Sequence, residues 1–385
     1  MKKRLMNRRN WLKTSTGLMA ASSFVHTLHA DEINYIDKIN PKTGRWITGI
    51  DPDANIKARI NSNENPWGPS EKAKNAYLNA FSQASRYPDF ASEEIKERIA
   101  KVEGVKAENV FICAGLSELL NLMADLQGVQ KGTMVSAHPT FDLMPALAAK
   151  LGGKWIKVPV NGAMQHDLIA MQNAITPDTK LVYICNPGNP TATIVNPNEL
   201  SLFIDRNWQK SLIFIDEAYN DYIPFPASHT MISKIREGKD ILIGKTLSKV
   251  HGFAGLRMAY AIGSQKVISE LNHYRPWAFG VSGTAYQAAM ISLEDKEHIA
   301  EIVKRTNEIK SSTIASLQAM GYKPILSYTN FVMFPIQQEG STFVKTMADK
   351  GVDLRSWNFN NQNYCRVSIG TREDMDLFLS AMKSI

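Results

Sequence analysis

In the stretch GKTLSKVHGFAGLRMAY (Gly244–Tyr260), Lys249 follows the hydroxyls of Thr246 and Ser248, and Arg257 stands eight residues further on. Hydroxyls and a guanidinium around an amine suit a site that holds an anion beside a nucleophile or base. Three other stretches supply complementary groups. FIDEAY (Phe214–Tyr219) puts Asp216 after an apolar run, where a carboxylate is costly unless a cation or a hydrogen-bond donor meets it. CNPGNPT (Cys185–Thr191) ends another such run, with Asn189 between two turns. CAGLSE (Cys113–Glu118) ends a third and opens a helix, so its amides and the Ser117 hydroxyl form a seat for phosphate.

One ligand uses all of these groups: pyridoxal phosphate. Its aldehyde needs an amine, which Lys249 provides. Its ring nitrogen must keep a proton if the ring is to draw electrons, and Asp216 enforces that. Its phenolate needs donors, for which Asn189 and Tyr219 are placed. Its phosphate needs amides, hydroxyls and an arginine, the set of Ser117, Thr246, Ser248 and Arg257.

The elements that must position these residues follow from the apolar pattern. NVFICAG, TMVSAHP, KWIKVPV, LVYICNP, LIFIDEA, DILIGKT and RMAYAIG read as short strands between helical stretches. Continuous runs such as LVYI and LIFI suit strands buried on both faces of a largely parallel sheet, whose carboxyl ends carry the ligand chemistry. SELLNLMADLQG has helical spacing and ends in glycine. From Ser282 one or two long helices follow, then NFVMFPI, GVDLRSW, YCRVSIG and a last helix from about Arg372. The class is therefore α/β, with a large domain over 66–281, a smaller α+β domain over 282–385, and an arm over 31–65.

At 385 residues the chain is long for a single core. Its net charge of +7 sits at the beginning: residues 1–30 hold six basic residues and no acid, and removing them leaves 38 basic against 37 acidic. The body therefore offers no electrostatic case for nucleic acid. NRRNWLK (Asn7–Lys13) followed by a weakly apolar run resembles a twin-arginine export signal, which implies a periplasmic or exported protein carried by the twin-arginine translocase. Cleavage is expected near LHA before Asp31; uncleaved, the segment would be an anchor. Cys113, Cys185 and Cys365 are few and widely spaced, which argues for buried strand cysteines and against a disulfide framework or a metal site.

The ordered set NSNENPWGPS, RYPD, AGLSE, HPTF, NPGNPT, DEAY, TLSK, GLRMAY and RVSIGT resembles the class I/II aminotransferases, nearest the histidinol-phosphate aminotransferase branch, over nearly everything after about Asp53. The resemblance implies the aspartate aminotransferase-like fold. It gives Lys249 the bond to the cofactor's aldehyde and the proton shuttle, Asp216 the ring nitrogen, and Asn189 and Tyr219 the phenolate. It adds the Leu116 backbone to the phosphate cup, stacks Phe141 on the ring, and sends Tyr87 to the phosphate of a second subunit, hence a homodimer with shared sites. Strand alternation alone would leave Arg366 on a solvated face; the resemblance makes it the clamp for the substrate α-carboxylate. Arg355 matches an arginine that helps hold a substrate phosphate, and Trp67 lies in a loop near the substrate entrance. Ala192 stands where the family has glycine. The expected activity is ping-pong transamination between an amino acid and a 2-oxo acid. A decarboxylase, lyase or racemase on the same scaffold is the alternative, and a non-catalytic cofactor-binding sensor a more distant one. The absence of GxGxxG after an early strand speaks against a nicotinamide dehydrogenase.

Overall fold

The structure, a computed structural model, describes residues 55–275 and 280–385, so the leader with Arg8 and Arg9 lies outside the described residues. In chain order the strands are β1 (Ala58–Arg59), β2 (Val110–Cys113), β3 (Thr133–His138), β4 (Lys154–Pro159), β5 (Thr179–Cys185), β6 (Leu212–Asp216), β7 (Ile241–Thr246), β8 (Ala259–Gly263), β9 (Phe331–Ile336), β10 (Val352–Asp353), β11 (Arg355–Phe359) and β12 (Gln362–Ser368). The seven runs expected as strands are β2 to β8, and they form one sheet of order β2-β8-β7-β6-β5-β3-β4. Strands β3 to β7 pair in parallel, while β8 runs antiparallel to both its neighbours.

Parallel strands need cover on both faces, and period-two alternation supplies it here. Val182, Ile184, Ile213, Ile215 and Ile243 enter one core; Leu181, Tyr183, Phe214 and Leu242 enter another, against Leu116, Leu119 and Leu120. The register aligns the strand ends: Cys185 pairs with Asp216, and Asp216 with Gly244. The loop carrying Asn189, the Asp216 carboxyl and the Thr246–Lys249 segment therefore leave the sheet side by side.

A third core gathers Val332, Phe334, Val352, Val367 and Phe378 around the antiparallel order β11-β12-β9 and the parallel pair β1-β10. Ala58 and Ile60, from the stretch read as an arm, are buried in it. The region after Ser282 divides into two helices, Gly283–Ser292 and Lys296–Ala319. The first buries Ala285, Tyr286 and Ala289 in the large sheet's core, while the second carries Ile309 and Leu317 into the smaller one. The helix Leu116–Val129 runs past Gly128 instead of stopping there. A methyl at Gly128 would collide with Leu151, so this glycine serves close packing and not a cap. All three cysteines are buried, each within a strand.

Candidate active site

The phosphate seat starts at Gly115, which precedes the helix Leu116–Val129 at φ 76° and offers no side chain to cap it. The first-turn amides, Leu116 among them, are left without a side-chain cap, a ready site for an anion. Arg257, itself at φ 57°, crosses this helix start: its Nη2 donates to Ser117 Oγ at 2.8 Å and its Nη1 to the Ala254 carbonyl at 2.9 Å. A methyl at Gly115 would run into the guanidinium, so glycine here is a condition for the arginine's position. Thr246 Oγ1 donates to Ser248 Oγ at 3.0 Å, and both residues are buried.

Asp216 is 2% exposed, with Oδ1 accepting from the Ala218 amide at 3.1 Å and Oδ2 from the Tyr183 hydroxyl at 2.9 Å. Burial pushes its carboxyl up to about 6 against the pull of Tyr183, Ala218 and the Lys249 charge. A carboxyl held in a dry site at this height calls for a cationic partner, as a protonated ring nitrogen would be. Lys249 is half-buried; its Nζ donates to the Ser62 carbonyl at 3.1 Å and lies 5.5 Å from the centroid of the Tyr219 ring. Burial first, then the Arg366 and Arg355 cations, lower its amine to about 7, with Glu64 and Asp216 opposing. The Tyr219 hydroxyl receives Asn63 Nδ2 at 2.9 Å and Asn189 Nδ2 at 3.4 Å, and burial holds its proton on above the ordinary phenol value.

Arg366 is 3% exposed, which replaces the solvated strand face that alternation alone suggests. Its Nη1 donates to Asn189 Oδ1 and its Nη2 to the Asn61 carbonyl, both at 2.6 Å. The guanidinium carbon lies 4.7 Å from the Trp357 ring centroid and 5.1 Å from that of Phe331. Arg355 faces Arg366 across the β11–β12 ladder. Trp67 is half-buried and packs against both the smaller core and the cluster of Ala192, Tyr219 and Phe331. Phe141 is half-buried beside the core of Leu116 and Phe214. Tyr87 is 80% exposed.

Two groups therefore assemble among the expected residues: Ser117 with Arg257, and Lys249 with Asp216, Tyr219, Asn189 and Arg366. Three participants were not singled out from the sequence. Tyr183 reaches Asp216 from the neighbouring strand. Asn63, at φ 54°, joins Tyr219 to Ser368 Oγ, which donates to Asn63 Oδ1 at 2.8 Å. Asn330 Nδ2 in turn donates to the Asn63 carbonyl at 3.0 Å. The only signal for Asn63 lay in NSNENPWGPS, whose repeated asparagines are unusual in so short a stretch. Tyr183, within the apolar run LVYIC, had none beyond the cost of burying a phenol unpartnered.

The residues fit pyridoxal phosphate at each of its polar groups, and the comparisons agree. The family Aminotransferase class I and II matches residues 55–382. A histidinol-phosphate aminotransferase of Moorella thermoacetica is 34% identical over 346 residues, covering 89% of either chain. An aromatic amino acid aminotransferase of Thermobifida fusca is 31% identical over 350 residues, 91% of this chain and 95% of that protein. In the fold, the crystal structure of a Sinorhizobium meliloti histidinol-phosphate aminotransferase in complex with pyridoxal 5'-phosphate superimposes with a TM-score of 0.79 at 23% identity, over 93% of this chain and 98% of that one. Agreement over this span leaves one assignment: the chain belongs to the aminotransferase class I and II family and is a pyridoxal-phosphate-dependent aminotransferase.

Proposed function

We propose that both half-reactions, amino acid to 2-oxo acid and the reverse, run at Lys249, and that the residues around it divide the work as follows. Pyridoxal phosphate, when bound, supplies an electron sink for the amino donor's Cα. Ser117, Thr246, Ser248, Arg257 and the Leu116 amide would hold its phosphate, Asp216 its ring nitrogen, and Asn189 and Tyr219 its phenolate oxygen; Phe141 would cover the ring. The Arg366 fork binds the substrate α-carboxylate in two-point fashion and so orients the Cα–H bond. Lys249, whose amine burial and the neighbouring arginines lower to about 7, can shed its proton without strongly basic conditions and removes the Cα proton. The same amine returns that proton on the product side. Arg366 and Tyr219 are themselves buried, which would limit water beside the reacting carbon.

The observation that carries this reading is the convergence on one cluster of Asp216 from the end of β6, Lys249 from the segment after β7 and Arg366 from within β12. The test is a donor-and-acceptor screen on purified, cofactor-loaded protein. Conversion of the bound cofactor to its amine form by at least one amino acid, reversed by a 2-oxo acid, is expected; carbon dioxide release or racemisation without that conversion would sink it. For the donor we favour an amine bearing a planar ring. Trp67 and Trp357 beside the clamp support it, as does the likeness to relatives that act on histidinol phosphate or aromatic amino acids. Arg355 would meet an anionic group at the far end of that donor, whether phosphate or carboxylate.

The working form we propose is a homodimer. Leu78, Phe81 and Tyr87 are 57%, 66% and 80% exposed within ten residues, an apolar strip suited to a second copy, whose phosphate seat Tyr87 would reach. The paired arginines Arg8 and Arg9 support export through the twin-arginine translocase as a folded, loaded protein.

A further inference from the structure

The hydrogen bond between Tyr183 and Asp216 has a role that follows from its surroundings. Tyr183 is fully buried in β5, its ring tilted 56° against Phe214 with centroids 5.6 Å apart. Its hydroxyl lies 2.9 Å from Asp216 Oδ2, whereas Oδ1 is held by the Ala218 amide. Among the described residues these two donors aim the carboxyl, and one of them comes from a side chain. The other titratable groups facing Asp216 are Lys249, whose charge favours the carboxylate, and the Tyr219 phenol and Cys185 thiol, which burial keeps protonated.

A carboxylate taken out of water stays ionised only as far as donors and cations compensate it. A neutral carboxylic acid cannot hold a positive ring nitrogen by charge, so anything that lets Asp216 protonate weakens both the binding and the electron demand of the ring. The Lys249 ammonium cannot serve throughout, because that amine loses its proton to do chemistry. The donors that stay in place whatever the state of Lys249 are the Ala218 amide on Oδ1 and the phenol on Oδ2, and the phenol is the side chain of the two.

We propose that Tyr183 is a positioning residue that keeps Asp216 ionised and aimed, and so sets how firmly the cofactor's ring nitrogen holds its proton. The inference rests on the cofactor-binding role proposed for Asp216, and Tyr183 would act through that carboxyl.

Tyr183→Phe keeps the ring against Phe214 and deletes only the hydroxyl. In the loaded enzyme, kcat is expected to fall roughly tenfold to a hundredfold, the range for losing a hydrogen bond to a charged group. KM for the amino donor should stay within about twofold, since Arg366 is untouched. The acid limb of the kcat profile should move up by about one pH unit, because a carboxyl without its donor protonates at higher pH. Independently of turnover, titration of the apoprotein with pyridoxal phosphate should show weaker binding in Tyr183→Phe, the gap widening as pH falls. In an Asp216→Asn background the same substitution should change neither affinity nor kcat. An unmoved acid limb, or an equal loss in the Asp216→Asn background, overturns the proposal by making the role one of packing. Should Tyr183→Phe not fold, Tyr183→His, which returns an N–H donor, carries the comparison: an acid limb near the wild-type position supports the proposal, and one shifted as for a missing donor overturns it. A wild-type protein that binds no pyridoxal phosphate would instead sink the parent reading.

Discussion

Lys249 is the residue on which pH acts most directly. Its amine is lowered to about 7 by burial and by the Arg366 and Arg355 charges, and only the unprotonated amine attacks an aldehyde or takes a proton. The depressed value means the reactive form disappears as pH falls through about 7, not through the ordinary lysine range. The rate at which the apoprotein takes up pyridoxal phosphate is therefore expected to rise with pH and level off just above neutrality, measured by stopped-flow absorbance. A rate still climbing at pH ~10, where an ordinary lysine titrates, would show that the amine is solvated. Lys249→Ala should abolish turnover while leaving the fold intact by circular dichroism. At the substrate's α-carboxylate, Arg366→Lys replaces a two-point fork by a point charge. It should raise KM for the amino donor by roughly tenfold to a hundredfold, about 1.4–3 kcal/mol, and disturb the cofactor's spectrum little.

Among the elements, the loop over 63–70 ties β12 of the smaller core to the segment that carries Lys249. Asn63 reaches Tyr219 and Ser368, Asn65 Nδ2 donates to the Val250 carbonyl at 2.9 Å, and the Gly68–Pro69 backbone lies against Gly252. Gly252 has φ 75°, and a methyl there would meet the Gly68–Pro69 backbone, which has no flexible end to yield. Gly252→Ala should therefore cost more than the ~1–2 kcal/mol of left-handed strain alone. A thermal midpoint lowered by at least several degrees is expected, together with slower cofactor uptake as the loop is pushed off the lysine segment. A variant with unchanged melting would mean that the loop is not seated as described. Ala192, where the resemblance has glycine, shows the opposite balance: it takes φ 63° and buries its methyl with Tyr219 and Phe331. Burying the methyl, about 0.8 kcal/mol, recovers part of the backbone strain there.

For the molecule as a whole, the exposed strip of Leu78, Phe81 and Tyr87 and the basic leader make separate predictions. Phe81→Asp together with Leu78→Asp should turn a dimer into a monomer by light scattering and, if Tyr87 completes the partner's phosphate seat, weaken cofactor binding as well. A species of single-chain mass before any mutation would refute the shared site. Arg8→Lys with Arg9→Lys should hold the protein in the cytoplasm; undiminished recovery outside it would refute the export reading. Neither prediction depends on salt in the way a nucleic-acid binder would, because the body beyond residue 30 is nearly neutral.

Local patterns in the chain carried the architecture and the chemical parts. Continuous apolar runs marked β2 to β8, because a strand buried on both faces has no polar alternation, and Asp216, Asn189 and Lys249 could be named because each lies at or shortly after the end of such a run. Ser117 and Arg257 could be assigned to one phosphate seat from local stretches, but not the need for a bare glycine at 115 beside the guanidinium. What only the tertiary structure decided are the bonds spanning long stretches of chain: Asn63 to Tyr219, 156 residues apart, Arg366 to Asn189, 177 apart, and Tyr183 to Asp216 on adjoining strands. Such pairings follow from strand register and from the closing of one core on another. No periodicity within a ten-residue window records them, because a buried polar side chain can meet its need with any donor that packing brings within about 3 Å.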